Sequence, residues 1–226
     1  MKVLASNSMR AVLAELLPQF ERANGRKVEI SYDPAKITLR RIEQGESADA
    51  VILNASAIDD LVASGKLDPK RERVVLARCG VGVAVRAGAA KPDIRTVDAF
   101  KRALLAAKSI AHTSEGASGM HFSKLIERLG IAGEIKAKAR TQPGGLVAEL
   151  IVNGTAELAI QQIPELLAVP GIDLVGPLPA ELQLISVVSA AVFANARDAQ
   201  GAQALLEFVS SPAAKRVIEA RGLQPG

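Results

Sequence analysis

The chain has 226 residues, 49% of them hydrophobic and 23% charged, the balance of an ordinary soluble globular protein long enough to bury a substantial core. Only 3% of the residues are aromatic and none is Trp, which argues against a surface that stacks nucleobases or sugar rings, because both tasks need exposed aromatic planes. The formal charge of +4 comes from Lys and Arg scattered among acids, as in "KRERVV" and "AAKRVIEAR", with no dense basic block suited to a phosphate backbone, so no nucleic-acid partner is expected.

Met1 and Lys2 run directly into "VLASNS" without the apolar h-region of a signal peptide, and no apolar stretch reaches the length of a membrane span. As the chain begins here it reads as cytoplasmic without membrane insertion, and as periplasmic if its natural start lies upstream. "KVLAS" is a short strand, and "MRAVLAELLPQFERANG" carries Val12, Leu13, Leu16, Leu17 and Phe20 at helical spacing, bent at Pro18 and stopped by Gly25. "KVEISY" alternates as a half-buried strand, "ITLRRIEQG" reads as a helix, "ADAVILN" as a fully buried strand, and "SAIDDLVASG" as a helix with Ser56 at its N-cap. The single cysteine, Cys79, lies in an apolar strand-like run and is expected to be a buried structural thiol.

The rhythm then restarts: "GVGVAVRAG" as strand, "TVDAFKRALLAAK" as a helix capped by Thr96, "SIAHT" as strand, "SGMHFSKLIERLG" as helix, "IKAKART" as strand, "GGLVAELIVNG" as helix and "AELAIQQ" as strand. After "GIDLVGPLP" comes the strand "ISVVSAAVFA" and two terminal helices, "AQGAQALLEFVSS" and "AAKRVIEARG". Two α/β units follow from this alternation, each with a mostly parallel sheet covered on both faces.

The familiar enzyme signatures are missing. His112 and His121 are nine apart with no HExxH and one cysteine, so no metal or other cofactor is expected. The glycines of "CGVGVAVRAG" continue as a strand where a dinucleotide fingerprint would open a helix, and there is neither a GxSxG elbow nor a P-loop. What remains is a set of small polar residues at the carboxyl ends of strands, where open α/β sheets bind ligands. Ser6, Asn7 and Ser8 follow the first strand; Thr113, Ser114, Gly116, Ser118 and Gly119 follow "SIAH"; Gln142, Gly144 and Gly145 precede "LVAELIVNG". Any one such turn, taken alone, reads first as a simple helix cap. Three of them suggest helix N-termini that offer N–H donors to one anion.

"ASNSM", "RRIEQGESADAVILNAS", "EGASGMHFSKLIERLGI", "VAELIVNGTAELAIQQ", "GPLPAELQ" and "ALLEFVSSPAAKRVIEARGLQPG" resemble, in order and over nearly the whole chain, the periplasmic molybdate-binding proteins and their solute-binding relatives. The resemblance implies the type II periplasmic-binding fold, with residues 1–80 plus 187–226 as one lobe, 81–186 as the other, two hinge strands and a cleft for a small anion. It also implies a monomer that serves an ABC permease if exported. Ser8 matches the family's first-loop serine, Ser118 and Gly119 the turn whose amide donates to the oxyanion, and Gly144 a second such amide; a larger residue at 119 is expected to block the ligand and leave the fold intact. The family's second-loop serine falls near Ala35 or Lys36 in "DPAKIT", with Thr38 beside it, and its tyrosine is replaced by Gln162, which points from molybdate toward small organic anions.

The same branch is similar to bacterial aconitate isomerase, whose allylic proton shift needs no metal. Lys36, Arg40 or Arg140 could then hold carboxylates, and Glu115, His112 or His121 could move the proton, with Glu115, His121 and Lys36 the preferred catalytic set. Capture of an anion, oxyanion or carboxylate, is the favoured reading, because the resemblance supplies a cleft and no matched catalytic residue. An isomerase is the alternative.

Overall fold

Val3 and Ala5 pack to one side of the first strand and Leu4 to the other, and all three are buried, so the sheet that holds them is covered on both faces. A computed structural model describes residues Met1 to Gly226 and separates them into two units, 1–79 with 186–226 and 80–185.

The first unit begins with β1 (Lys2–Ala5), a short 3-10 turn (Asn7–Met9), α1 (Arg10–Asn24), β2 (Glu29–Tyr32), α2 (Ala35–Glu43), β3 (Ala50–Asn54), α3 (Ala55–Ala63) and β4 (Val74–Cys79). In the second unit come β5 (Val81–Arg86), α4 (Val97–Ala106), β6 (Ile110–Thr113), α5 (Ala117–Arg128), α6 (Ala132–Lys138), β7 (Ala139–Gln142), α7 (Glu149–Val152), β8 (Leu158–Gln162), α8 (Ile163–Leu167) and β9 (Ile172–Pro177). The chain closes the first unit with β10 (Ser186–Val192), α9 (Ala199–Val209), α10 (Pro212–Ala220) and β11 (Gln224–Pro225).

Both sheets share one plan. In the first, ordered β11-β4-β10-β3-β1-β2, β1 lies parallel between β2 and β3, and β10 runs antiparallel to β3 and β4. In the second, ordered β7-β6-β8-β5-β9, β6 lies parallel between β7 and β8, and β5 runs antiparallel to β8 and β9. Parallel strands require crossover connections, so three strand-to-helix turns in each unit open at the same sheet edge. One face of the first sheet packs on α1, α9 and α10 through Phe20, Leu205 and Ile218; the other packs on α2 and α3 through Ile42 and Ile58. In the second unit Phe100 and Phe122 fill one face, and small Ala84, Ala111 and Ala159 let the "LVAEL" turn approach the other.

Three local readings change. "IKAKART" alternates like a strand, but Ile135 is buried against Phe122 and its neighbours, and 132–138 is helical before β7 begins at Ala139. The helix expected over "GGLVAELIVNG" contracts to the four residues of α7. α3 starts at Ala55 with Asn54 at its cap, so Ser56 sits inside the first turn. By contrast, Pro18 lies inside α1 as expected, its ring on the exposed side. Thr96 accepts from the Ala99 N–H at 3.2 Å, Gly25 closes α1 at φ 63°, and Cys79 is buried.

The start of the first sheet is tied down electrostatically. Arg41 grips Glu46 with Nε at 2.5 Å and Nη2 at 2.7 Å, Lys2 Nζ approaches Glu46 at 2.8 Å, and Arg41 also pairs with Asp33. The Arg41 hydrogen bond, seconded by Lys2, pulls the Glu46 carboxyl down to about 2. A carboxyl whose folded value lies below its unfolded one stabilises the fold above the unfolded value, and that contribution disappears as pH falls through the folded value. Glu46→Gln should therefore lower the melting temperature at neutral pH, and its deficit against the parent should shrink between about pH 5 and about pH 2. A deficit independent of pH in calorimetry would show that Glu46 acts through packing alone.

Candidate functional site

In the first unit the turn after β1 starts level with its neighbours: Ser6 N donates to Ile52 O at 2.7 Å and Asp33 N to Ala5 O at 3.0 Å. The Ser6 side chain caps the 3-10 turn, its Oγ 3.0 Å from Ser8 Oγ, and Asn7 and Ser8 are buried. Lys36, exposed, stands in the first turn of α2, a helix start with no acidic residue and no side-chain cap. A cation there adds to the positive end of the helix dipole, an arrangement that favours an anion above it. Thr38 is buried and its hydroxyl donates back to Pro34 O at 3.4 Å, as helical threonines do. Arg10, which sequence reasoning passed over, lies at the same edge with its Nη2 donating to Asn7 Oδ1 at 3.2 Å and its guanidinium carbon 4.4 Å from the Tyr32 ring centre.

In the second unit Ser114 N donates to Gln142 O at 2.8 Å and Glu115 N to Pro143 O at 3.2 Å, which aligns the turns after β6 and β7. α5 begins at Gly116 with no side-chain cap, and the bond from Met120 N to Gly116 O is the helix's first, so the Ala117, Ser118 and Gly119 amides precede the intrahelical ladder. Ser118 and Gly119 are themselves within the buried part of this turn. A Cβ on Gly119 would stand 1.7 Å from the Thr113 carbonyl oxygen, and one on Gly116 would stand 2.3 Å from Thr113 Oγ1. The glycines thus exist so that α5 can lie directly on the end of β6. This corrects the expectation that a larger residue at 119 blocks only a ligand: it strikes backbone first.

The other expected residues are distributed as follows. His112 is buried, edge-on to Phe122, with Nδ1 2.9 Å from Thr113 O; burial pushes its pKa down against the raising effect of that hydrogen bond, which keeps the ring neutral near pH 7. His121 holds Leu182 O from Nε2 at 2.7 Å and so fastens α5 to the 180–182 turn. Arg140 is exposed and bonds its neighbour's carbonyl, while Glu115 is half-buried immediately ahead of α5. Gly144 lies in a bend; α7 has only four residues, so no helix dipole stands behind its amide. Gln162 is buried at the start of α8. Its neighbour Gln161 was missed: fully buried, it accepts from Val147 N at 3.0 Å and donates to Gly145 O at 2.7 Å, fixing the 144–147 turn. A glutamine on an otherwise apolar strand was the available signal.

Buried side-chain polar atoms without a hydrogen-bond partner are Arg10 Nε, Asn54 Oδ1, Thr113 Oγ1 and Gln203 Oε1. The first three belong to the carboxyl edges of the two parallel triplets, where unsatisfied groups are costly unless something else answers them. No group of three or more His, Cys, Asp or Glu stands together as a metal site, and no helix is long and apolar enough to cross a membrane.

Paired α/β units whose polar turns collect at the carboxyl edge are the architecture of solute-binding proteins with the type II periplasmic-binding fold. Residues 1–224 match the family of bacterial extracellular solute-binding proteins, and this chain belongs to it. It is 38% identical over 229 residues to an aconitate isomerase from a Pseudomonas species, covering 99% of this chain and 87% of that protein. The fold is also that of the Azotobacter vinelandii periplasmic molybdate-binding protein, at TM-score 0.82 and 18% identity, with 99% of this chain and 98% of the other covered. The sulfate-binding protein SubI from Mycobacterium tuberculosis shares it at TM-score 0.75 and 20% identity, with 100% and 86% covered.

Gly119→Ala should cost about 1–3 kcal/mol or more in chemical denaturation, because α5 must lift from β6 to admit the methyl group. Ser118→Ala, which removes only a hydroxyl, should cost much less. A Gly119→Ala protein as stable as the parent would contradict this close packing.

Proposed function

We propose that the protein captures a small organic anion carrying more than one carboxylate; the candidate binding groups are Ser6, Asn7, Ser8 and Lys36 in the first unit and, in the second, the Ser118 and Gly119 amides. The observation that carries this reading is a pair of unanswered donors at the carboxyl edges: the Arg10 guanidinium, buried at Nε and bonded only to a neutral amide oxygen, in the first unit, and the buried Thr113 hydroxyl in the second. Lys36 in place of a neutral hydroxyl adds a formal positive charge, which suits a ligand carrying several ionised carboxylates. The monomeric state and the ABC permease that the resemblance implies belong to the same reading, as do supporting roles for Thr38, Gly144 and Gln162.

A thermal-shift screen with molybdate, tungstate, sulfate and small di- and tricarboxylates tests it. A ligand present at a hundred times its dissociation constant adds about 2.7 kcal/mol of stability. Stabilisation by carboxylates that exceeds stabilisation by molybdate, and that falls in Ser8→Ala, is expected; stabilisation by molybdate alone would refute the proposal.

Turnover is the second reading, and the 38% identity to an aconitate isomerase favours it. An allylic shift removes a proton beside one carboxylate and returns one at the far end of the alkene, with no change of oxidation state. Glu115, ahead of α5, is then the preferred proton carrier and Lys36 the partner of a substrate carboxylate; His121, bonded to Leu182 O, acts by holding α5. cis-Aconitate incubated in deuterated water should yield the trans isomer with deuterium at the reprotonated carbon, and Glu115→Gln should slow this about a hundredfold or more. Binding of cis-aconitate without any product would remove the catalytic reading and leave the capture of carboxylates standing.

A further inference from the structure

We propose that Arg10 grips one carboxylate of the ligand through the outer edge of its guanidinium, that this contact sets the preference for carboxylates over tetrahedral oxyanions, and that Tyr32 is its positioning residue. The inference rests on the polycarboxylate reading and names the group that enforces it.

Arg10 is the first residue of α1, where the helix dipole disfavours a cation and no acidic residue stands in the first turn. It is half-buried. Arg26, Arg41, Arg71, Arg73, Arg95 and Arg221 each pair with a carboxylate, and Arg10 pairs with none. The two side chains shown in contact with it, Asn7 and Tyr32, are neutral. Asn7 contributes an amide oxygen, and the Tyr32 hydroxyl has its pKa pushed up to about 12 by burial, against the lowering effect of the Arg10 charge, so it is no counter-ion near neutral pH. The next residue, Asp33, is engaged by Arg41. A partly desolvated cation among neutral groups is a costly arrangement for a fold to keep unless an anion completes it.

The geometry also selects the anion. The Tyr32 ring lies under the guanidinium, with its centre 4.4 Å from Cζ, and Asn7 takes one Nη2 proton at 3.2 Å. Nε is buried, so the remaining Nη protons form the edge left for a ligand. That edge presents parallel N–H groups spaced for the two oxygens of a planar carboxylate, a match that a lysine or a neutral hydroxyl cannot reproduce. Cation–π contact with Tyr32 and the bond to Asn7 hold the guanidinium in place, so less freedom is lost when the carboxylate docks.

Calorimetric titration with trans-aconitate and, separately, with molybdate tests the proposal. Arg10→Gln should weaken trans-aconitate about tenfold to hundredfold, the range for a lost charge-assisted hydrogen bond, and should leave molybdate binding unchanged or improved. Arg10→Lys keeps the charge and loses the fork, and should recover only part of that affinity. Tyr32→Phe keeps the ring and should bind like the parent, whereas Tyr32→Leu should weaken trans-aconitate several-fold, a rescue pattern that hydroxyl chemistry at Tyr32 would not give. If Arg10→Gln, folded by circular dichroism, binds trans-aconitate as tightly as the parent while Ser8→Ala does not, Arg10 has no such role and the polycarboxylate reading survives. Should Arg10→Gln fail to fold, equal affinity of parent and Arg10→Lys for trans-aconitate would overturn the role of the fork. No binding of any carboxylate by the parent overturns the underlying reading itself.

Discussion

The organising constraint in the second unit is the approach of α5 to the end of β6. Because Gly116 and Gly119 leave no room for a Cβ against Thr113, the helix start sits on the strand end, and its first amides stay clear of both a side-chain cap and the intrahelical ladder. The rest of that edge follows from it: Ser114 and Glu115 bond back to Gln142 and Pro143, and Gln161 holds the next turn from beneath. In the first unit hydroxyls and charges do the comparable work. Ser6 caps a 3-10 turn, Lys36 stands at the start of α2, and the Arg10 guanidinium sits over the Tyr32 ring. The two edges therefore offer different chemistry, backbone amides in one and fixed cations in the other.

Much of this was legible in the sequence where one local rule dominates. Alternation of buried residues gave the central strands, Thr96 and Gly25 marked helix ends, and the clusters "ASNS" and "EGASG" located the turns at the strand ends. Failures occurred where tertiary packing overrode the local pattern. Ile-Lys-Ala-Lys-Ala-Arg has the period of a strand, yet one apolar anchor, Ile135, docks a helical turn onto the Phe122 cluster. "GGLVAELIVNG" has the apolar spacing of a helix, but its first half is bound by Gln161 in a non-helical turn before the helix can start.

Arg10 escaped for a different reason. An arginine at the start of a helix, followed by "AVLAELL", reads as a solvated charge, and only the pairing of β1 with β2 in register, Ala5 opposite Tyr32, brings the ring beneath the guanidinium. Contacts between residues 22 positions apart leave no local trace. The two histidines illustrate the converse: both looked available for proton transfer, and both have ring nitrogens engaged with backbone carbonyls. The chain belongs to a family of solute-binding proteins and is also 38% identical to an aconitate isomerase.

The central proposal, that the carboxyl edges of the parallel triplets are where anions bind, is most directly tested by titrating the ¹⁵N-labelled protein with trans-aconitate and following amide and guanidinium resonances. The account predicts the largest shifts at Ser6–Ser8, at Ala117–Gly119 and at the Arg10 side chain. Shifts confined to the opposite end of the first sheet, around Lys2, Asp49 and Arg197, would contradict it.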